Sequence, residues 1–217
     1  MKLETLLKEI NAVSVAGARS VEITGVSCDS RQVREGYLFV AVPGTALDGS
    51  TFIDDALSRG AAAVVLEKEV RTGKDVCIVR VNDARLALAA VASAFNSKPS
   101  AALKMVGITG TNGKTTTAYM CRDILRAGGV EPVLISTIQY EIADRIIPAL
   151  RTTPDATNLQ SLLGQMVNAG CRSAVMEVSS HSLVQKRVAG IDFDVGVFTN
   201  LTRDHLDYHH SQAEYFE

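Results

Sequence analysis

The pattern of apolar and polar positions divides the chain into two α/β series. Leu3, Leu6, Leu7 and Ile10 recur at i, i+3, i+4 and i+7, the spacing of a short amphipathic helix. Residues 37–42 form an unbroken apolar run that predicts a buried strand, stopped by Pro43 and Gly44. A helix is predicted over 52–59, closed by Gly60, followed by strands over 62–66 and 76–81. An alanine-rich helix then fills about 83–95. Asn96, Ser97, Lys98, Pro99 and Ser100 are consecutive turn formers. A boundary there gives domains over 1–98 and 99–217.

The second series opens with a strand over 104–109, passes through a glycine-rich loop into a helix, and continues with a strand over 132–135. Thr157 and Gln160 have capping-box spacing, with Thr157 as N-cap of a helix that reaches about 169 and ends at Gly170. The β-branched apolar runs 173–178 and 194–199 suit central parallel strands. Ser211 and Glu214 form a second capping box, so 215–217 opens a helix of one turn, too short to hold by itself. The chain therefore reads as cut short. Strands alternating with helices predict an α/β fold: a small N-terminal α/β domain, then a partial P-loop α/β domain with a mostly parallel sheet.

Composition narrows the classes. The chain has 217 residues, 47% hydrophobic and 21% charged, with a formal net charge of -2. No basic excess marks a nucleic-acid partner. No apolar run approaches the ~20 residues that span a bilayer, and the start has no signal-peptide core. Cys28, Cys77, Cys121 and Cys171 are widely spaced with no Cys-x-x-Cys pair, which predicts reduced thiols and a cytoplasmic protein.

The glycine-rich loop carries the sharpest chemistry. Gly110, Thr111, Asn112, Gly113, Lys114, Thr115 and Thr116 lie between a predicted strand and helix, where a P-loop belongs. Such a loop turns backbone N–H groups toward phosphates, and the helix that follows adds the positive end of its dipole. Lys114 supplies a cation for phosphate oxygens, and the Thr115 hydroxyl can ligate Mg²⁺. ATP and Mg²⁺ are the expected cofactors. The usual motif begins with glycine five places before Gly113, where this chain has Ile108; its glycine stands one earlier, at Gly107.

Ligands of open α/β sheets sit at the carboxyl ends of the strands. One predicted strand ends at Glu177, the next leads into Asn200 and His205, and His181, His209 and His210 crowd the same region. Glu177 is placed to be a second Mg²⁺ ligand opposite Thr115, and His205 to hold metal or orient the phosphoryl group. Lys114, Glu177 and His205 form the expected catalytic set. His209 and His210 are expected to be solvent-exposed.

Residues 110–116, Thr152-Thr153-Pro154, Glu177-Val178-Ser179-Ser180-His181, Gln185-Lys186-Arg187-Val188 and 200–209 together resemble the Mur ligases, in order along the whole chain. The Glu-Val-Ser-Ser-His-x-Leu-x-Gln-x-Arg block is the specific part. The loop variant alone marks only a wider superfamily that includes folylpolyglutamate synthase. Within the family the match favours the member that adds the third amino acid, meso-diaminopimelate or L-lysine, to UDP-N-acetylmuramoyl-L-alanyl-D-glutamate in peptidoglycan biosynthesis. The alternatives are another Mur ligase, a folylpolyglutamate-synthase-like ligase, or a module that holds ATP without ligating.

The resemblance implies that ATP phosphorylates the substrate carboxylate to an acyl phosphate, which the amine of a diamino acid then attacks. It implies that Asn200 belongs to the nucleotide site, and that Thr152, Thr153, Ser179, Gln185 and Arg187 bind the muramoyl dipeptide. Where the family commonly has Asn before the Thr-Thr pair, this chain has Arg151. Cys28-Asp29-Ser30-Arg31, residues 38–44 and Asp48-Gly49 are similar to the family's UDP-sugar domain. By that likeness Ser30 and the backbone at Thr45, Ala46 and Leu47 contact the uridine diphosphate. On their own these residues also read as an Asp-Ser turn and a Pro-Gly loop. The family further implies a monomer, a carbamylated lysine shortly after Glu217, and a C-terminal amino-acid-binding domain absent from this chain. The 217 residues alone are expected to bind poorly and not to turn over.

Overall fold

The computed structural model describes residues 1–44, 48–70, 73 and 76–216. Thr45, Ala46 and Leu47, expected to touch the uridine diphosphate, lie outside the described residues. The chain separates into two compact units, Met1–Lys98 and Pro99–Glu217.

The first unit is built on a five-stranded sheet. Its strands are β1 (Ala12–Ala16), β2 (Gly25–Ser27), β3 (Tyr37–Val40), β4 (Ala61–Leu66) and β5 (Cys77–Val81), in the order β1-β5-β4-β3-β2. β1 runs antiparallel to β5; the other pairs are parallel. The apolar runs in β3 and β4 are buried because α2 (Ile53–Ser58) closes on them, with Ile53, Ala56 and Leu57 against Phe39, Val64 and Leu66. Asp83 caps α3 (Ala84–Phe95) by accepting from the Leu86 N–H at 2.8 Å. The remaining helix is α1 (Leu3–Leu7), which buries Leu3 and Leu6.

The second unit carries a six-stranded sheet of β6 (Lys104–Thr109), β7 (Pro132–Ile135), β8 (Gln139–Ile142), β9 (Arg145–Pro148), β10 (Ser173–Glu177) and β11 (Val195–Phe198). Their order is β11-β6-β10-β7-β8-β9, parallel from β11 to β7 and antiparallel from β7 to β9. α4 (Lys114–Ala127) covers one face, with Ile108, Ala118, Leu134 and Val175 between helix and sheet. This burial explains Ile108: the position sits in the core at the end of β6, before the loop turns. α5 (Ala156–Asn168) packs Leu159, Leu162, Leu163 and Met166 with residues of β6, β7 and β10 in the larger core. The parallel register aligns Glu177 with Ile108. The carboxyl ends of β6, β7, β10 and β11 therefore open at one edge of the sheet.

Two expectations are corrected. Thr157 is not the N-cap of α5. Asp155 is, accepting from the Asn158 N–H at 3.0 Å, while Thr157 Oγ1 donates to Asp155 Oδ1. Aspartate outranks threonine as a cap, and Gln160 is turned fully into the interior, away from any capping role. β11 is not central either. It pairs only with β6 among the described residues, leaving Val195 49% and Phe198 57% exposed. β-branched composition reports strand propensity but not the number of neighbours a strand has.

Candidate nucleotide and acceptor site

β6 runs into the glycine loop, and the loop turns directly into α4. Gly110 has φ +130°, and a Cβ there would strike the Thr199 side chain and the Asn200 backbone. Only glycine lets the loop lie so close to the segment after β11. Gly113, at φ +85°, is the N-cap and makes no side-chain cap, so the helix start faces the cleft with its N–H groups.

The loop is braced from β11. Thr111 N–H donates to Asn200 O at 2.9 Å, and Asn112 N–H donates to Asn200 Oδ1 at 3.1 Å. Asn200 Nδ2 and Thr199 Oγ1 both donate to Asn112 O, at 3.0 and 2.8 Å. The buried Thr111 hydroxyl accepts from Thr202 N–H at 2.9 Å and lies 3.1 Å from the Tyr215 hydroxyl. Asn200 thus shapes the loop from behind. Lys114 Nζ folds back onto the loop, donating to Gly110 O at 2.7 Å and Thr111 O at 2.9 Å.

In front of the loop is an open cleft of about 370 Å³, lined by residues 111–116 with Thr137, Thr152 and Glu177. That volume falls within the range of small-molecule sites. Glu177 is fully buried at the end of β10. Its Oε2 accepts from Thr115 Oγ1 at 2.9 Å and Thr137 Oγ1 at 3.1 Å, and its Oε1 from Thr137 N–H at 2.9 Å. All three of these donors are neutral. A buried carboxylate served by neutral donors, beside a threonine hydroxyl at a helix start, suits a divalent cation.

The residues expected to bind the dipeptide form a second connected group. Thr153, also buried, donates from Oγ1 to Glu177 O at 2.9 Å and accepts from Ser179 N–H at 3.1 Å. Ser179 caps α6 (Ser180–Val184) by accepting from Ser182 N–H. Arg187 donates to Thr153 O at 2.8 Å and, through Nε and Nη2, to Gln185 Oε1 at 3.0 and 2.6 Å. Gln185 Nε2 donates to the Tyr208 hydroxyl at 3.2 Å. The structure brings Thr152, Thr153, Ser179, Gln185 and Arg187 together beside Glu177. Ser30 lies in the first unit, buried. The Ser30 hydroxyl, ahead of the Arg59 guanidinium, holds the Asp55 carboxyl below its usual range. Asp29 forms the expected turn, its carboxylate paired with the Arg31 guanidinium at 2.9 and 2.7 Å.

The histidines divide differently from expectation. His209, expected at the surface, is 3% exposed, with Nε2 2.9 Å from Ser180 Oγ. It is buried because it ends α7 (Leu206–His209) and α8 (Gln212–Phe216) packs back on that helix: its ring lies 5.0 Å from Tyr208 and 5.0 Å from Tyr215. His210 is exposed. His205 stands edge-on to His181 at 4.8 Å and is not among the residues lining the cleft. Burial, followed by the nearby His205, His209 and Arg187, holds the His181 pKa below the ordinary imidazole value. Among the described residues no three His, Cys, Asp or Glu side chains converge as a preformed metal site.

Sequence reasoning missed Thr137. The signal was available: it stands two residues beyond the end of β7, at the same sheet edge that singled out Glu177 and Asn200.

Two domain profiles match the chain: "Mur ligase family, catalytic domain" over residues 22–96 and "Mur ligase middle domain" over residues 108–217. A UDP-N-acetylmuramoyl-L-alanyl-D-glutamate--2,6-diaminopimelate ligase of Geobacter metallireducens is 48% identical over all 217 residues, which cover 42% of that protein. A solved ligase of the same name superposes with a TM-score of 0.83 at 27% identity, over 99% of this chain and 43% of its own. MurF ligase from Thermotoga maritima, solved in complex with ADP, gives 0.58 at 25% identity over 88% of this chain and 41% of its own. The chain thus spans less than half the length of these relatives.

Proposed function

The chain belongs to the Mur ligase family, and from that premise we propose that it is part of an ATP-dependent ligase that adds a diamino acid to UDP-N-acetylmuramoyl-L-alanyl-D-glutamate in peptidoglycan biosynthesis. The curated relative at 48% identity carries that activity in its name, with 2,6-diaminopimelate as the added residue. We take the same amine as the acceptor here, and the cytoplasm as the place of action. The observation that carries the proposal is local: Thr115 at the start of α4 and Glu177 at the end of β10 meet in one cleft, beside Thr152.

In this reading residues 110–116 receive the triphosphate. Lys114 releases the loop carbonyls and turns its ammonium to the phosphate oxygens, offsetting charge that develops during transfer. Thr115 and Glu177 would hold Mg²⁺, which supplies charge neutralisation on the nucleotide; His205, which does not line the cleft, is assigned to the same ion by the family likeness alone. Thr152, Ser179, Gln185 and Arg187 position the dipeptide so that its carboxylate oxygen attacks the γ-phosphorus and ADP leaves. The incoming amine attacks the resulting acyl carbon, loses a proton, and expels inorganic phosphate. Ser30 and residues 45–47 are assigned the uridine diphosphate by the same reading. Asn200 supports the loop that binds the nucleotide.

The test is ADP release by the full-length gene product. Release should require UDP-N-acetylmuramoyl-L-alanyl-D-glutamate and Mg²⁺, and 2,6-diaminopimelate should support it better than lysine. Nucleotide binding without dipeptide-dependent turnover would instead identify a non-ligating ATP module.

A further inference from the structure

Thr137 touches both halves of this cleft. Its backbone N–H donates to Glu177 Oε1 at 2.9 Å and its hydroxyl meets Glu177 Oε2 at 3.1 Å, so one residue grips both carboxylate oxygens. Two contacts on the two oxygens fix the plane of a carboxylate, which a single contact leaves free to rotate. The same hydroxyl lies 3.1 Å from Thr152 Oγ1. The Thr137 hydroxyl thus stands between Glu177 Oε2 and Thr152 Oγ1, within hydrogen-bond distance of both. The result is a continuous path from Thr115 through Glu177 and Thr137 to Thr152.

We propose that Thr137 is a positioning residue that couples the two halves of the site, orienting Glu177 toward the cation and fixing the Thr152 hydroxyl for the acceptor substrate. This rests on the ligase reading above. Outer partners of a metal-binding carboxylate fix its direction, and their loss typically costs about 10–100-fold in metal affinity or activity. Thr137→Val keeps the shape and the backbone N–H but removes the hydroxyl. Glu177 then keeps one Thr137 contact of two, and Thr152 loses its Thr137 partner.

The experiment compares wild type, Thr137→Val and Thr137→Ser in the full-length gene product. One readout is the Mg²⁺ concentration giving half-maximal ADP release. The other is the affinity for UDP-N-acetylmuramoyl-L-alanyl-D-glutamate measured by calorimetry without metal or nucleotide. Thr137→Val should raise the Mg²⁺ requirement about tenfold or more and weaken metal-free dipeptide binding. Thr137→Ser should restore both, which a purely steric role would not predict. If Thr137→Val matches wild type in either readout, or Thr137→Ser is as impaired as Thr137→Val, the coupling is wrong. A wild type that forms no dipeptide-dependent ADP removes the ligase reading and the coupling with it. A wild type that turns over alongside an unaffected Thr137→Val removes the coupling alone.

Discussion

The Thr115 hydroxyl donates to Glu177 Oε2 at 2.9 Å across 62 residues of sequence, joining the first turn of α4 to the end of β10. The contact exists because β6 and β10 are parallel neighbours in register, so their carboxyl ends emerge side by side. It places a hydroxyl and a buried carboxylate where a nucleotide-bound cation would sit.

Replacing Glu177 by Gln should therefore remove metal-dependent turnover while keeping the fold. The amide oxygen can still accept from the Thr115 and Thr137 hydroxyls, while its NH2 replaces the oxygen that accepted from Thr137 N–H, and the side chain carries no charge. Activity should fall by at least the ~10–100-fold that follows loss of an outer partner, and the Mg²⁺ dependence should flatten. Steady-state ADP release across a Mg²⁺ series decides this. A Glu177→Gln enzyme with wild-type Mg²⁺ dependence would remove Glu177 from the metal site.

Thr153 predicts a stability effect rather than a purely kinetic one. Its buried hydroxyl serves Glu177 O and Ser179 N–H at once. Thr153→Val leaves both groups without that partner, at a cost of about 1–3 kcal/mol. Urea unfolding should show it as a lower midpoint with an unchanged slope, and Thr153→Ser should recover most of the loss. Equal midpoints for Val and wild type would show that water replaces both bonds.

The two loop glycines should respond differently to alanine. At Gly110 a methyl would meet Thr199 and Asn200, and the backbone sits at φ +130°. At Gly113 nothing lies within 4 Å, and the strain is backbone alone. Gly113→Ala should cost roughly the 1–2 kcal/mol of a left-handed residue. Gly110→Ala should cost more and should also detach the loop from Asn200, so nucleotide affinity falls further than stability. Calorimetric titration with a non-hydrolysable ATP analogue, beside thermal melts of both variants, separates the two effects. Similar losses for both would mean that the Asn200 contact does not hold the loop.

Much of this arrangement was legible because it is local. β6 and β7 match their predicted bounds of 104–109 and 132–135, since short, largely apolar segments between turn formers leave little choice. The glycine loop was legible for the same reason. β8 and β9 were not: their alternation is short, with Glu141 turned inward to pair with Arg122 at 2.6 Å. Burial of His209 was equally invisible, because it depends on Tyr208 and Tyr215 closing over the ring. Thr137 was legible only in its place, two residues beyond the end of β7; that its hydroxyl meets Glu177, forty residues away, depends on the pairing of β7 with β10.

Asp194 gives a prediction with a definite pH window. Its carboxylate accepts from Lys104 Nζ and from Met105 N–H, both at 2.8 Å, tying the segment before β11 to the start of β6. The Lys104 bond, then the Met105 N–H, hold its pKa below the ordinary aspartate range. A depressed acid stabilises the folded state fully above its unfolded pKa of about 3.9, and that contribution fades as pH falls through the lower folded value. Asp194→Asn keeps an acceptor for Met105 but loses the charge opposite Lys104. The variant should thus melt below wild type at neutral pH, and the gap should close in strong acid. Salt should narrow it as well, since Lys104 is exposed. Melting curves at a series of pH values and ionic strengths test both, and a gap that persists unchanged into strong acid would show that packing, not charge, anchors this edge.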